Sequence, residues 1–350
     1  MKRIIPATII MKTLCDKKVI DLPFQHKRSS GLITNVLVLC MISFTVLTGC
    51  KSVLSETKKN NYDEVYPQIA DAEVCYATGV RHNLNHDWEQ ARYEFDNALR
   101  LLSEIEIAAQ DEHTRNKIDM LLNEISYDYK NALRNGGSLS DDNATAIISL
   151  ALDDGLNPET RMNLGRLLNK LPTSPITAEY DYPVQINDKV KEKMVFFQTD
   201  AHDAFETWLS RSSRYLPMIK KIFKEEGIPL DLAYLPLVES GFHPKAYSWA
   251  HAMGLWQFIR GTGKMYGLKS DWWVDDRCDP EKATRAAAKY LKTLYDMFGD
   301  WELALAGYNC GENRVKRTMA SQNSNNYWEL KLPKETKNYV PLFNAALIIA

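Results

Sequence analysis

A single carboxylate ends the apolar segment Leu235-Pro236-Leu237-Val238-Glu239-Ser240-Gly241-Phe242. Gly241 and then Pro244 interrupt the chain directly after it, which indicates a turn. A carboxyl group with apolar neighbours and access to solvent has a raised pKa, and we expect a pKa of about 6 for Glu239. Such a group holds a proton near neutral pH and can donate it to a leaving oxygen.

The composition is that of an ordinary globular protein. The chain has 350 residues, of which 45% are hydrophobic and 25% charged, and this length accommodates about two domains. Residues 1–49 carry a net charge of +5, so the rest of the chain carries −7 within a total of −2. A mildly acidic body without a stripe of Lys and Arg interleaved with aromatic residues argues against nucleic acid as a partner.

Residues 1–49 have the pattern of a lipoprotein signal peptide. No charged residue occurs from Gly31 to Cys50, and basic residues precede this run. Its end, Leu47-Thr48-Gly49-Cys50, resembles the bacterial lipobox, in which the cysteine is acylated and becomes the new N-terminus. The alternative is an uncleaved transmembrane anchor, because about 20 apolar residues can span a bilayer. We favour lipidation at Cys50, and both interpretations place the body outside the cytoplasm.

The rest of the chain divides into a tether and two helical domains. We expect a polar tether over residues 50–69, a helical N-terminal domain over 70–178 and a second domain over 179–350. In the N-terminal domain, four residues take the small and large positions of a single tetratricopeptide-like helical hairpin: Gly79, Ala91, Phe95 and Ala98. The stretch Leu171-Pro172-Thr173-Ser174-Pro175 marks the domain boundary.

The second domain is expected to be compact and mostly α. Helical periodicity resumes near Thr199, after an extended segment over residues 182–186. Asp279-Pro280 is a typical helix start, with an aspartate cap before a proline at the first helical position. The predicted helices cover residues 200–211, 215–226, 230–239, 255–265, 280–298, 301–308 and 338–349.

The sequence predicts no metal site and leaves the cysteine pairing open. Three cysteines remain once the signal is removed and Cys50 is acylated: Cys75, Cys278 and Cys310. A Cys278–Cys310 disulfide and two buried free thiols are both compatible with the sequence. His243 and His251 follow the glutamate, but their spacing supplies no third ligand.

Three motifs follow the Glu239-Ser240 pair. They are Gly254-Leu255-Trp256-Gln257-Phe258, Gly307-Tyr308-Asn309-Cys310-Gly311 and Lys334-Glu335-Thr336-Lys337-Asn338-Tyr339. In this order and spacing they resemble the lytic transglycosylase family with a goose-lysozyme-like catalytic domain, and in particular its membrane-bound D-type branch. The resemblance covers residues 190–350 and implies a lysozyme-like α-helical catalytic domain.

The resemblance implies a peptidoglycan lytic transglycosylase that uses no cofactor. The family cleaves the β-1,4 bond between N-acetylmuramic acid and N-acetylglucosamine through an oxocarbenium-like state. Glu239 matches the catalytic glutamate, which protonates the leaving oxygen and then accepts the proton of the muramoyl 6-hydroxyl. That hydroxyl attacks C1 and forms a 1,6-anhydro ring. The nucleophile belongs to the substrate, so no second carboxylate is required.

The resemblance also assigns substrate-binding residues: Ser240, Gln257, Phe258, Tyr308, Asn309 and Tyr339. Amide and phenol groups can hydrogen-bond a neutral glycan without adding charge. Ser240 and Tyr339 match supporting positions near the acid, whereas Trp256 and Phe258 offer flat faces for sugar rings. Four aspartates are expected to be loop and cap residues: Asp271, Asp275, Asp276 and Asp279.

The expected setting is the periplasmic face of the outer membrane, because Lys51 after the cysteine resembles an outer-membrane sorting pattern. The expected partners are peptidoglycan glycan strands, the membrane through acylated Cys50 and a protein bound by the N-terminal helices. D-type relatives often carry C-terminal LysM repeats, and we expect a truncated C-terminus because the helical pattern still continues at Ala350. The alternatives are a goose-type lysozyme, in which water replaces the 6-hydroxyl, and a non-catalytic peptidoglycan-binding scaffold.

Overall fold

The computed structural model describes residues 62–136, 139, 143–153, 155–171, 179–271 and 273–350. Over these ranges the chain forms fifteen α-helices, with isolated β-bridges in place of strands. The mostly α fold class is therefore confirmed. The signal peptide, Cys50 and most of the tether lie outside the described residues, as does most of the Pro-rich boundary.

The helices are α1 Tyr62–Leu84, α2 Trp88–Ser103, α3 Glu112–Asn135, α4 Ala144–Leu152, α5 Pro158–Met162, α6 Leu164–Leu168, α7 Asp188–Gln198, α8 His202–Ser212, α9 Leu216–Glu226, α10 Pro236–Ser240, α11 Arg260–Met265, α12 Pro280–Phe298, α13 Trp301–Cys310, α14 Glu312–Gln322 and α15 Lys334–Ile349. Short 3₁₀ helices occur at Ile107–Ala109, Leu230–Tyr234, Asp276–Cys278 and Tyr327–Glu329.

The first two helices pack as a hairpin through the predicted small and large residues. A Cβ atom on Gly79 would lie 2.5 Å from Cε1 of Phe95, so the ring occupies the space that glycine leaves. Ala91 and Ala98 are fully buried at the same interface. α1 begins at Tyr62, before the expected start at residue 70.

α4 is a buried helix. All nine of its residues are buried, and it packs against α3 on one side and against α10 and α15 on the other. Asn143 caps this helix by accepting a hydrogen bond from the backbone of Ala146. α4 therefore joins the N-terminal helices and the C-terminal helices into one hydrophobic core.

The C-terminal helices pack around α12, α13 and α15. Asp279 caps α12 by accepting from the backbone of Glu281 and Lys282, and Gly299 ends the helix with a φ of +67°. Both bounds of α12 agree with the sequence prediction. α15 contacts α7, α13, α10 and α4, so it connects most of the surrounding helices.

Several element predictions were wrong. The expected helix over 230–239 is a 3₁₀ turn followed by α10, because Pro236 starts a new helix. The expected helix over 255–265 begins only at Arg260, because Gln257 has a left-handed φ of +47°. α7 and α14 were not predicted. In α14 only Val315 is buried, so that helix lacks an apolar stripe to detect.

The extended segment over 182–186 contains no helix, as expected.

The structure has free thiols at Cys75, Cys278 and Cys310. Of the two alternatives left open for the cysteines, it therefore shows free thiols and not the Cys278–Cys310 disulfide. Within the described ranges, no helix is both long enough and apolar enough to cross a membrane.

Replacement of Gly79 tests the hairpin contact. We expect Gly79→Ala to lower the free energy of unfolding by about 1–2 kcal/mol, because the added methyl group overlaps a buried ring that cannot move aside. Gly165 in α6 is the control, since a Cβ there meets nothing within 4 Å. Gly165→Ala should raise stability by up to about 1 kcal/mol through helix propensity alone. Urea unfolding measures both, and equal stabilisation by the two substitutions would contradict the contact.

Candidate active site

A close contact with α8 fixes the helix that carries Glu239. Gly241 ends α10 with a φ of +55°, and a Cβ there would lie 2.6 Å from Nε1 of Trp208. This approach requires glycine. Nη1 of Arg211 donates to the Gly241 carbonyl at 2.6 Å. The position of Glu239 at the end of α10 is therefore set by two contacts with α8.

Glu239 lines a cleft of about 570 Å³. The cleft brings together six of the seven predicted site residues: Glu239, Gln257, Phe258, Tyr308, Asn309 and Tyr339. They come from α10, from the loop before α11, from the end of α13 and from α15. Residues separated by about 100 positions in the chain thus share one wall.

The carboxyl group of Glu239 is held in its protonated form near neutral pH. Burial raises its pKa to about 8, against the opposing effect of a hydrogen bond from the Tyr339 hydroxyl to Oε1. The expected direction is correct, but the pKa lies above the expected value of about 6. The sequence could not show how fully the surrounding helices remove water from this group.

No charged side chain contributes to the pKa shift of Glu239 among the described residues. The other carboxylate on the cleft wall is Glu335, which is exposed in the first turn of α15. Arg314 is the cation on this wall and is also exposed. Glu239 is therefore the carboxyl group of the cleft that is shielded from solvent and prepared to hold a proton.

The cleft loop, residues 246–260, presents Gln257. Nε2 of Gln257 donates to the carbonyls of Ala246 at 3.0 Å and Gly254 at 2.9 Å. Both amide hydrogens are therefore used within the loop, and Oε1 remains as an acceptor on the cleft side. Gly254 has a φ of +84°, and a Cβ there would lie 1.9 Å from the carbonyl oxygen of Arg277.

Arg277 holds the cleft loop in place through hydrogen bonds, a role that the sequence did not indicate. Its guanidinium is buried and forms an ion pair with Asp275 at 2.6 Å. Nη1 also donates to the carbonyls of His251 and Phe258, both at 3.1 Å. The two acceptors lie on either side of Gly254, so one side chain sets the curvature of the loop. Arg277 lies in the 3₁₀ turn before α12, and no feature of the sequence there predicts that its side chain binds the cleft loop.

Two phenols and an amide complete the polar wall. Tyr308 donates to the carbonyl of Trp256 at 2.7 Å, and Asn309 accepts from Thr336 at 2.7 Å. Burial, with Glu239 nearby, holds the pKa of Tyr308 and Tyr339 well above the ordinary tyrosine value. Both phenols therefore remain protonated donors over the working range of Glu239.

Two predicted contacts are placed differently by the structure. Ser240 does not line the cleft; it is fully buried, and its Oγ donates to the Leu255 carbonyl at 2.9 Å. It links α10 to the cleft loop. Trp256 is also fully buried and donates to Thr284 at 2.9 Å, so its expected role as a sugar platform is wrong. Phe258 reaches the cleft wall with only 2% of its surface exposed.

α4 forms a further part of the cleft wall that the sequence did not indicate. Thr145, Ile148, Ser149 and Leu152 from this helix line the cleft. They lie about 90 residues before Glu239, in the region predicted as a separate N-terminal domain. Asn338 of α15 donates to the Leu152 carbonyl at 2.8 Å and holds the end of α4 against the wall.

The acidic residues near the cleft have structural roles. Asp279 caps α12, Asp271 accepts from two turn amides, Asp275 pairs with Arg277 and Asp276 pairs with Lys282 at 2.7 Å. These are the loop and cap roles expected. Among the described residues, no group of three or more His, Cys, Asp or Glu side chains could hold a metal ion.

Residues 217–331 match the family described as Transglycosylase SLT domain. The membrane-bound lytic murein transglycosylase D of Escherichia coli (strain K12) is 40% identical over 160 residues, which are 44% of this chain and 35% of that protein. The peptidoglycan transglycosylase of Escherichia phage T7 is 34% identical over 131 residues, covering 37% of this chain and 10% of the phage protein. The chain thus spans about a third of the D-type relative.

Among solved structures, the 70 kDa soluble lytic transglycosylase of Escherichia coli aligns with 80% of this chain and 61% of that chain. The TM-score is 0.35 and the sequence identity 15%. The matched family segment contains Glu239, Gln257, Tyr308 and Asn309, and it ends before Tyr339.

The raised pKa of Glu239 predicts a stability that falls with pH. The folded protein holds this proton up to about pH 8, whereas the ordinary glutamate value is 4.5. Stabilisation by proton binding is complete below the lower pKa and is lost as pH rises through the higher one. Relative to Glu239→Gln, the free energy of unfolding should therefore fall between pH 5 and pH 8, by at most about 1.4 kcal/mol per pH unit.

Urea unfolding at several pH values measures this difference. Glu335→Gln is the control, because it removes an exposed carboxylate from the same cleft. Parallel pH curves for the native chain and Glu239→Gln would contradict the raised pKa.

Proposed function

We propose, from the match of residues 217–331 to the Transglycosylase SLT domain family, that this protein is a lytic transglycosylase of the membrane-bound D type. Its reaction is cleavage of the MurNAc-β-1,4-GlcNAc bond of peptidoglycan with formation of a 1,6-anhydroMurNAc end. The observation that carries the proposal is Glu239, a shielded carboxyl group with a pKa of about 8 on the wall of a polar cleft.

In the first step Glu239 acts as a general acid. A carboxyl group with a pKa of about 8 is protonated at neutral pH and can transfer its proton to the glycosidic oxygen. The bond between that oxygen and C1 of the muramoyl sugar breaks, and positive charge develops at C1. The N-acetylglucosamine leaves with the transferred proton.

In the second step the same residue acts as a base. The Tyr339 hydroxyl donates to Oε1 and stabilises the carboxylate that the first step leaves behind. This carboxylate accepts the proton of the muramoyl 6-hydroxyl while the oxygen of that hydroxyl bonds to C1. Glu239 regains its proton and the anhydro ring closes, so no proton or water is consumed.

A single shielded carboxyl favours this route over a two-carboxylate mechanism. Retaining hydrolases place their carboxyl groups about 5.5 Å apart, where each would perturb the pKa of the other. The pKa of Glu239 carries no such contribution among the described residues. The pKa therefore argues against a carboxylate nucleophile, and we assign that role to the substrate hydroxyl.

The other cleft residues suit a neutral glycan. Oε1 of Gln257 accepts, the Asn309 amide can donate, and Tyr308 keeps its proton. We assign these three residues to the N-acetyl and hydroxyl groups of the sugars. Phe258 contributes a narrow apolar contact beside them.

We further place the protein in the cell envelope, lipid-anchored at the periplasmic face of the outer membrane. The name of the D-type relative describes that protein as membrane-bound. In this chain the lipobox-like Leu47-Thr48-Gly49-Cys50 supports acylation at Cys50. A protein partner of the N-terminal helices remains part of the proposal.

Product analysis tests the reaction. Digestion of purified sacculi should release muropeptides with anhydro ends, which mass spectrometry identifies because they lack one water. Glu239→Gln should reduce turnover by about 10²–10⁴-fold, the usual contribution of a general acid. Glu302→Gln is the matched control, because burial also raises the pKa of that carboxyl, to about 7, and it does not line the cleft.

Reducing muramic ends would instead indicate goose-type hydrolysis. Undiminished turnover in Glu239→Gln would show that Glu239 is not the general acid. If the native chain bound glycan without releasing products, the non-catalytic scaffold would be the correct alternative.

Fractionation tests the lipid anchor. Cys50→Ser should abolish the mass added by acyl chains, whereas Cys75→Ser should leave it unchanged. A native protein in the membrane fraction that carries no acyl mass and keeps residues 1–49 would favour the uncleaved transmembrane anchor.

A further inference from the structure

One face of α3 contacts the cleft loop from outside the cleft. Asp119 lies 3.0 Å from Nε2 of His251, and Nζ of Lys130 lies 5.8 Å from the ring centroid of Trp249. The spacing of eleven residues from Asp119 to Lys130 corresponds to about three helical turns, so both side chains occupy the same face. Trp249 itself lines the cleft.

His251 is the junction through which this contact acts. It has a left-handed φ of +58°, which is unfavourable for a residue with a side chain. Nδ1 lies 2.6 Å from the Tyr247 hydroxyl, and the carbonyl accepts from Arg277. With the proton on Nε2, the ring donates to Asp119 and accepts from Tyr247. Partners at both ring nitrogens hold the strained backbone in place.

Two further N-terminal contacts reach the same loop. Glu106 forms an ion pair with Arg260 at 2.6 Å, and Thr145 donates to the Tyr247 carbonyl at 3.0 Å. The cleft loop is thus held near its start, in its middle and at its end by residues from outside the SLT segment.

The restrained loop supplies much of the cleft wall. Seven of its residues line the cleft: Ser248, Trp249, Ala250, Ala252, Gln257, Phe258 and Ile259. A shift of His251 would move these residues relative to Glu239, because the helix that carries Glu239 is also held against α8 by Gly241 and Arg211. Substrate contacts are therefore more sensitive to the clamp than the acid is.

We propose that α3 clamps the cleft loop and that Asp119 is a positioning residue for glycan binding. The catalytic part of this inference rests on the proposed transglycosylase function, whereas the ordering of the loop does not. The Asp119 side chain is 56% exposed, so its pairing contributes little to overall stability and acts locally. The N-terminal helices thereby complete the binding site of the catalytic helices.

The experiment compares Asp119→Ala, Asp119→Asn and Glu124→Gln in the full chain. Asparagine keeps an oxygen acceptor for His251, whereas alanine removes it. Glu124 is the matched control, an exposed carboxylate on α3 five residues away and about 140° around the helix. Hydrogen exchange is measured at the amides of Ser248, His251 and Met253, which form hydrogen bonds within the loop.

We expect Asp119→Ala to speed exchange at these amides about fivefold, while exchange in α12 and the melting temperature stay unchanged. KM for peptidoglycan should rise by about fivefold with kcat nearly constant. Asp119→Asn should keep loop exchange and KM close to their native values, and Glu124→Gln should change neither quantity.

Unchanged loop exchange in Asp119→Ala would overturn the clamp. Faster exchange with an unchanged KM, or with an equal loss of kcat and of global stability, would overturn its role in positioning. If the native chain shows no turnover but Asp119→Ala still exchanges faster in the loop, the proposed function is refuted and the clamp stands.

Discussion

The geometry of the cleft depends on one buried cation. A guanidinium removed from water is strongly destabilising unless a counter-charge and hydrogen-bond acceptors compensate it. Asp275 provides the charge for Arg277, and the carbonyls of His251 and Phe258 accept two of its hydrogens. Since those carbonyls lie on either side of Gly254, satisfying the cation also bends the cleft loop. Ser240 then connects that loop to α10 through the Leu255 carbonyl. The helix that carries Glu239 is therefore joined to the cleft loop through Ser240.

The sequence predicted those helices whose ends carry local chemistry. α12 was predicted with its observed bounds because Asp279, Pro280 and Gly299 specify the start and the end within a few residues. α14 escaped prediction because a helix with one buried residue has no amphipathic pattern. The expected helix over 255–265 was wrong at its start because tertiary contacts of Gln257 override its propensity. The domain boundary near residue 172 stays a prediction.

The composition of the site followed from motif order, but its arrangement did not. The motifs identified the residues that meet around Glu239, including Tyr339 from a distant helix. They could not distinguish Trp256, which is a core residue, from a residue with a face in the cleft. Nor could they reveal Arg277 or α4, because neither lies in a motif and both act through backbone carbonyls and packing. Such contacts depend on distances in the folded protein, and the spacing of residues along the chain does not predict those distances.

The place of α4 in the cleft wall has a consequence for how related proteins can diversify. The segment that matches the Transglycosylase SLT domain family, residues 217–331, does not contain the helix that closes one side of the cleft. Substitutions at Thr145 or Ser149 could alter the shape of the cleft while every residue of the matched segment stays constant. Exchange of the matched segment alone between two related proteins would combine the motif residues of one protein with the α4 wall of the other. The shape of the cleft is thus set in part by residues that lie outside the matched segment.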